Sequence, residues 1–150
     1  MLHTKVIDTN IEKILISRAE SFISSSKFGA SIYFTGTVRD LNSDKIVKGI
    51  TYDAHNEMVI KSFENIYKDA DDKFKIKDKA IFIEHVKGYV NLGEISIIIA
   101  VACKHRDQAY LLSRYIIEEI KKKSPIWKKE HYKKDESAWL KGTPILNEKI

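Results

Sequence analysis

Positively charged side chains are concentrated in one short segment, residues 121–130, which reads KKKSPIWKKE. Pro125 separates the first three lysines from Lys128 and Lys129. If the chain folds back at the proline, the two groups of lysines converge. Mutual repulsion then makes a lysine a better acid, base or nucleophile near neutral pH, and a bound anion would relieve that repulsion. The segment therefore favours a pocket for an anionic substrate.

A simpler explanation exists for the first three lysines of this segment. Cations in the last turn of a helix complement the negative end of the helix dipole, by about 0.3–1 kcal/mol each. Two further basic sites have equally simple alternatives. Arg39 ends a predicted strand and can be a solvated charge, and His105 with Arg106 opens a predicted helix, where His105 can cap and Arg106 can pair with Asp107. The basic sites support a binding function only if they meet in space.

Composition restricts the chemistry further. The chain has 150 residues, a net charge of +5 and a pI near 9.1, which predicts one globular domain over residues 1–150 and favours anionic partners. Neither GxGxxG, a P-loop, HExxH nor CxxC occurs, so we expect no metal site and no cofactor. The single cysteine, Cys103, ends an apolar run and is expected in the core. It favours a reducing compartment, and no segment is apolar and long enough for a signal peptide or membrane span, which predicts a cytoplasmic protein.

The pattern of apolar residues predicts an α+β domain. A Thr-x-x-Glu capping box at Thr9 predicts the start of a first helix that ends near residue 23. Two strands, a helix, two strands, a third helix ending at Pro125 and a terminal hairpin follow. The hairpin joins IWKKE to SAWL, and the strand EISIIIAVAC is apolar enough to be covered on both faces.

Five segments together resemble the catalytic (large) subunit of molybdopterin synthase, over residues from about 28 to 140. They are, in order, GASIYFTGTVRD, ITYDAHNEM, HVKGYVNLGE, IAVACKHRDQAY and IKKKSPIWKKE. The sequence departs from the family pattern at His55, where an aromatic is common, and at Val86, where arginine is usual. Neither position belongs to the family's binding residues.

The resemblance implies an α/β-hammerhead fold with a mostly antiparallel sheet and three main helices. It implies a sulfurtransferase of molybdenum cofactor biosynthesis, which converts cyclic pyranopterin monophosphate into the molybdopterin dithiolene. The sulfur donor would be the thiocarboxylated C-terminus of a small ubiquitin-like subunit. The implied assembly is a homodimer of large subunits within a heterotetramer, with no nucleic acid and no membrane as partner.

Nine residues carry over from the family's site. Lys121 and Lys128 are implied to be catalytic as well as substrate-binding. The full substrate-binding set is Thr37, Val38, Arg39, His105, Arg106, Lys121, Lys128, Lys129 and Glu130. Glu130 would orient a lysine, or alternatively form an ordinary surface ion pair. We expect Phe34 in the core, Trp127 in the core or against the pterin, and Tyr52 in a structural role.

Two alternatives from other functional classes remain open in the sequence. Residues 121–134 interleave lysines with Trp127 and Tyr132, which is typical of a surface that stacks single-stranded nucleic acid. Glu130, Asp135 and Glu136 interrupt this basic segment, and no nucleic-acid-binding motif accompanies it. The second alternative is a non-catalytic adaptor that only holds a ubiquitin-like partner.

Overall fold

The structure is a computed structural model that describes residues 1–133 and the backbone of Ser137–Trp139. Its helices are α1 (Ile16–Ile23), α2 (Asn56–Phe74) and α3 (Arg106–Lys123). Its strands are β1 (Leu2–Asp8), β2 (Ala30–Thr37), β3 (Leu41–Asn42), β4 (Lys45–Ala54), β5 (Lys79–Asn91), β6 (Ile95–Cys103), β7 (Ile126–Tyr132) and β8 (Ser137–Trp139).

The strands form one sheet in the order β2-β6-β5-β4-β7-β8, with β1 added to β5 and β3 added to β4. Every pairing is antiparallel except that of β1 with β5. The predicted α+β class, the mostly antiparallel sheet and the three helices are therefore confirmed. The predicted terminal hairpin is also present, as β7 and β8.

Strand β5 connects the two halves of the sheet. Its first part, Lys79 to His85, pairs with β6, and its last part, Gly88 to Asn91, pairs with β4. Gly88 lies at the change of partner with φ +112°, and a Cβ there would meet Thr9 Oγ1 at 2.2 Å. This backbone conformation is essentially restricted to glycine. Gly88 therefore allows one strand to pair with β1 and β6 along its first part and with β4 along its last part.

The core is built on β5 and β6. All of β6 from Ser96 to Cys103 is buried, which confirms the prediction of a strand covered on both faces. Helix α3 contributes Ala109, Leu112, Ile116 and Ile120 to the core. Cys103 is fully buried, as expected for a core residue, and burial raises the pKa of its thiol. A thiol of this kind is a poor nucleophile.

The capping box predicted at Thr9 is wrong. Residues 9–11 form a turn that follows β1, which the sequence analysis missed, and α1 begins only at Ile16. The Thr9 N–H donates to Lys87 O at 3.0 Å and so extends the β1–β5 pairing. Glu12 accepts from Lys5 and Arg18 instead of returning to the Thr9 backbone. Ile11, which falls within the helix predicted from this capping box, is 79% exposed in the turn instead.

A buried carboxylate holds the first two elements against the sheet. Glu84 on β5 is 1% exposed and accepts from Arg18 of α1 and from His3 of β1, at 2.9 Å each. Hydrogen bonds to charged groups stabilise a fold by more than neutral ones do, about 1.5–3 kcal/mol each.

None of the helices in the described part of the chain combines the length and apolar character needed to cross a bilayer.

Candidate active site

A cavity of about 120 Å³ opens between β2, β7 and the C-terminal end of α3, and we call it the cationic pocket. Four charged side chains line it: Arg39, Lys121, Lys128 and Glu130. All four were predicted as site residues, and they come from two regions of the sequence, Arg39 from one and Lys121, Lys128 and Glu130 from residues 121–130. The uncharged lining includes Phe34, Gly36, Thr37, Asn42, Tyr52 and His85.

The end of strand β2 forms one wall of the pocket, and the strand is irregular there. Phe34 and Gly36 lie on the same face of the strand, because side chains alternate along it. The pairing with β6 then shifts register between Gly36 and Thr37, as in a β-bulge. Bulges redirect side chains, and here the consecutive residues Gly36 and Thr37 both line the cavity. Arg39 follows directly in the loop after the strand.

The turn at Pro125 delivers the opposite wall. Helix α3 ends at Lys123, and Ser124 leaves the helix with extended backbone before β7 begins at Ile126. Lys121 and Lys128, on either side of this break, line the same cavity. Alternation along β7 then decides which lysine enters the pocket, because Lys128 and Glu130 are buried whereas Lys129 lies on the other face.

Glu130 is held by two donors in the interior. It is 3% exposed, which excludes the alternative of an ordinary surface ion pair. Asn42 Nδ2 lies 2.8 and 2.9 Å from its two carboxylate oxygens, and the Tyr132 hydroxyl donates to Oε2 at 2.9 Å. Buried carboxylates are stable only when hydrogen-bonded or paired in this way. The network fixes the position of the single negative charge among three positive ones.

His85 is the fully buried titratable group of the pocket. It is 2% exposed, and its Nδ1 lies 2.8 Å from the carbonyl oxygen of Val86. Tyr52 meets the ring edge-on, with 5.0 Å between ring centroids. Burial, with a smaller contribution from the Lys121 charge, lowers the pKa of His85 from 6.5 to about 4. The imidazole is therefore neutral in the physiological range.

Four predicted binding residues do not line the cavity. The Val38 side chain is 4% exposed and packs in the core, while its backbone N–H donates to Glu94 O at 3.2 Å. Lys129 faces away on β7. His105 and Arg106 are exposed at the start of α3, about 22 Å along the helix from Lys121 at 1.5 Å per residue. One copy of the chain does not bring these two residues to its own pocket.

Sequence reasoning missed part of the lining. Phe34 was expected in the core and Tyr52 in a structural role, yet both line the cavity. Trp127 is 40% exposed on the outer face of β7 and neither fills the core nor lines the cationic pocket. Asn42 and His85 were not singled out, because a loop asparagine and a strand histidine carry no signal without the pairing of distant strands.

Among the described residues, no group of three or more histidine, cysteine, aspartate and glutamate side chains is arranged to hold a metal ion. The pocket instead offers guanidinium and ammonium donors with a fixed carboxylate. Such groups bind phosphate and carboxylate-like anions.

A protein-family model described as "MoaE protein" matches residues 9–123. The chain belongs to the MoaE family. A molybdopterin synthase catalytic subunit from Synechococcus elongatus is 33% identical over 143 residues, covering 95% of this chain and 86% of that protein. The relationship predicted from the five sequence motifs is thereby confirmed.

Solved structures agree with this relationship. The crystal structure of molybdopterin synthase from Staphylococcus aureus matches with a TM-score of 0.82 and 30% identity, covering 90% of this chain and 94% of that one. A complex of subunits 1 and 2 of molybdopterin-converting factor from Helicobacter pylori matches with a TM-score of 0.73 and 25% identity, covering 93% and 90%.

The nucleic-acid alternative finds no support in these relationships. The geometry of β7 gives the physical reason. Lys128 and Tyr132 are 8% and 7% exposed on its inner face, whereas Trp127 lies on the outer face. The lysines and aromatics that alternate in sequence therefore do not form one stacking surface; Lys134 lies outside the described residues.

Proposed function

We propose that this member of the MoaE family is the catalytic subunit of a molybdopterin synthase, with the cationic pocket as its active site. The reaction is the transfer of sulfur from a thiocarboxylated small subunit to cyclic pyranopterin monophosphate, giving the molybdopterin dithiolene. The observation that carries the proposal is the convergence of Arg39, Lys121 and Lys128 on one cavity.

The charge of the pocket suits the two reactants. The substrate carries a phosphate and the sulfur donor carries a terminal thiocarboxylate, so both are anionic and repel each other. Fixed positive groups offset this repulsion, and their effect is larger in a partly buried cavity than in water. Arg39 suits the phosphate, because its planar fork donates two parallel hydrogen bonds.

Lys121 and Lys128 are the catalytic pair in this proposal. They approach the pocket from different elements, α3 and β7, so a substrate between them is contacted from two sides. Their ammonium groups polarise the reacting carbon and move protons as sulfur replaces oxygen. Glu130, fixed by Asn42 and Tyr132, supports this geometry as an orienting carboxylate.

The remaining predicted binding residues require a second copy of the chain. His105 and Arg106 sit at the far end of α3 and are exposed, so they are available to a neighbouring subunit. In the proposed homodimer, they reach the pocket of the partner copy and bind substrate there. Thr37 binds substrate in the pocket of its own chain, and the backbone of Val38 sets the position of Arg39 beside it. Lys129, on the other face of β7, contributes its charge to the rim of the site and not to the cavity wall.

The small ubiquitin-like subunit is proposed as the sulfur-carrying partner, in a heterotetramer with two large subunits. The cytoplasm is the proposed location, as a single buried cysteine suits a reducing compartment. Cell fractionation tests this location, and a predominantly membrane-associated protein would contradict it.

Reconstitution tests the enzyme assignment. The chain is mixed with a thiocarboxylated small subunit and cyclic pyranopterin monophosphate, and dithiolene product is measured. Lys121→Ala and Lys128→Ala should each lower turnover by at least about a hundredfold, as expected for groups that transfer protons or stabilise the transition state. Lys122→Ala removes an exposed charge next to Lys121 and is the matched control.

Each alternative function predicts a different experimental result. An adaptor would keep its function in Lys121→Ala while partner binding persists. A nucleic-acid-binding module would bind random oligonucleotides with an affinity that falls steeply as salt rises. Absence of product with a competent small subunit would overturn the enzyme assignment.

A further inference from the structure

His85 is a buried histidine in the cationic pocket to which the proposed mechanism gives no role. It lies on β5, opposite Ile97 of β6. It is not one of the nine site residues predicted from the sequence. A histidine that only fills space needs no open cavity beside it. His85, although 2% exposed, forms part of the cavity lining together with Lys121 and Lys128.

The hydrogen bond to Val86 fixes the tautomer of this histidine. The Nδ1 of His85 lies 2.8 Å from the Val86 carbonyl oxygen, and a carbonyl oxygen can only accept. Nδ1 therefore carries the proton and donates it. In a neutral imidazole the other nitrogen, Nε2, is then an acceptor with a free lone pair.

Nε2 of His85 has no hydrogen-bond partner among the described residues. Within the same part of the chain, Arg18 Nε alone is a fully enclosed side-chain nitrogen or oxygen lacking a partner. Nε2 is therefore not sealed off, and the open space beside this ring is the cationic pocket. A polar atom at the wall of a cavity completes its bonding with water or with a ligand that displaces the water.

The charge state of His85 distinguishes it from its neighbours. Its pKa is lowered to about 4, chiefly by burial, so it adds no positive charge to the pocket at neutral pH. Arg39, Lys121 and Lys128 offer donors only, and Glu130 is already engaged by Asn42 and Tyr132. A substrate with O–H and N–H groups as well as a phosphate needs an acceptor in addition to these donors.

We propose that His85 is a further substrate-contacting residue, whose Nε2 accepts a hydrogen bond from an O–H or N–H group of the pterin substrate. The inference rests on the proposed function, since it takes the cationic pocket as the substrate site. It assigns His85 a role in orientation and not in phosphate binding. The Nδ1 bond to Val86 holds the ring so that Nε2 presents its lone pair to the ligand.

Two amide substitutions separate the roles of the two ring nitrogens. The amide N–H of asparagine can replace Nδ1 as donor to Val86, but asparagine leaves nothing at the position of Nε2. The longer glutamine can place its carbonyl oxygen near that position as an acceptor. His131→Asn is the matched control, because His131 lies on the outer face of β7 and its Nε2 bonds to Thr51 Oγ1 at 2.8 Å.

The experiment measures dithiolene formation with the thiocarboxylated partner and, separately, binding of cyclic pyranopterin monophosphate by calorimetry. We expect His85→Asn to lower kcat/KM by about tenfold, as for the loss of one hydrogen bond to a ligand, and to weaken binding to a similar extent. His85→Gln should recover most of that loss. His131→Asn should match the wild-type protein in both measurements.

Circular dichroism and thermal unfolding at pH 7 identify any variant that fails to fold. Equal kcat/KM and affinity in folded His85→Asn and wild-type protein overturn the proposal, as does a loss in His85→Gln as large as that in His85→Asn. Both results leave the enzyme assignment intact. Failure of the wild-type protein to form product is the separate result that refutes the proposed function.

Discussion

The sequence around Glu130 does not show that this charged side chain is buried. Nothing in KKE distinguishes a buried carboxylate from a solvated one, and the distinction arises from alternation along β7 and from Asn42 in a distant hairpin. Because the carboxylate lies among three cations, its orientation influences each of them. Removing one of its donors should therefore affect both stability and catalysis.

Asn42→Ala tests this point. We expect a loss of about 1–3 kcal/mol in the free energy of unfolding, because a buried carboxylate loses a donor to both oxygens. Turnover should fall as well. Asn91→Ala is the control, since Asn91 donates to exposed Glu94 at 2.9 Å and its loss should cost less than about 0.5 kcal/mol. Equal losses in urea unfolding of the two variants would contradict the burial argument.

His85 should make stability depend on pH. Its folded-state pKa of about 4 lies below 6.5, so between these values the unfolded chain binds a proton that the folded chain excludes. Stability is then present above pH 6.5 and declines as the pH falls toward 4. Between pH 7 and pH 5 the contribution amounts to about 2 kcal/mol.

Urea unfolding at the two pH values measures this contribution. The difference between pH 7 and pH 5 should be about 2 kcal/mol smaller in His85→Asn than in the wild-type protein. Only this difference matters, so a general destabilisation by the substitution does not affect the test. An unchanged difference would mean that the pKa of His85 is not lowered in the folded protein.

At the scale of elements, β5 is the strand on which the arrangement of the sheet depends. It pairs with β1 and β6 along one part and with β4 along the next, and Gly88 marks the change. The pairing with β4 in turn brings β7, with Lys128 and Glu130, to the pocket. Disturbing the change of partner should therefore affect the whole domain.

Gly88→Ala tests the role of this position. The new Cβ would meet Thr9 Oγ1, and φ +112° is unfavourable for alanine, so we expect a loss of about 2–3 kcal/mol. Gly93→Ala is the control: it also has positive φ, +76°, but nothing lies within 4 Å of the new Cβ. Its cost should be about 1 kcal/mol. Comparable unfolding midpoints for both variants would show that the contact with Thr9 is not limiting.

Periodicity predicted most elements, because most of them bury one continuous face. The apolar strand β6 and the third helix that ends before Pro125 are both present. The start of the chain was misjudged, since Thr9 to Glu12 fits a capping box locally but Thr9 pairs with β5 instead. A pairing 78 residues apart in sequence leaves no local pattern.

The site was predictable where a motif fixed a charge and unpredictable where only packing mattered. Arg39, Lys121, Lys128 and Glu130 were expected and converge on one cavity. Phe34, Asn42 and His85 follow from bulge, hairpin and strand register, which the residue types alone do not specify. Lys128 and Lys129 are neighbours in sequence but lie on opposite faces of β7. The sequence alone does not show which of the two faces lines the pocket.

At the scale of the whole molecule, the separation of His105 and Arg106 from Lys121 argues for a site built from two copies. Arg106→Ala and Lys121→Ala should each be inactive alone. When the two variants are mixed and their subunits exchange, each mixed dimer regains one pocket with both residues intact. Random exchange should restore about a quarter of wild-type activity.

Native mass spectrometry confirms exchange in the mixture before activity is measured. A mixture of Lys121→Ala with Lys128→Ala is the control, because these two residues share a pocket within one chain. Its mixed dimers contain no complete pocket and should remain inactive. Exchange without recovery in the Arg106–Lys121 mixture would show that Arg106 does not act across the dimer.

The cationic pocket draws its walls from β2, β4, β5, β6, α3 and β7, so its lining residues extend from Phe34 to Glu130 along the chain. A partially folded state that lacks any one of these elements therefore has no complete binding site. Ligand should accumulate on the finished fold alone and protect amide protons of β2 and β7 from exchange to the same extent. Saturation with substrate should therefore protect completely folded molecules from proteolysis and leave incompletely folded molecules susceptible.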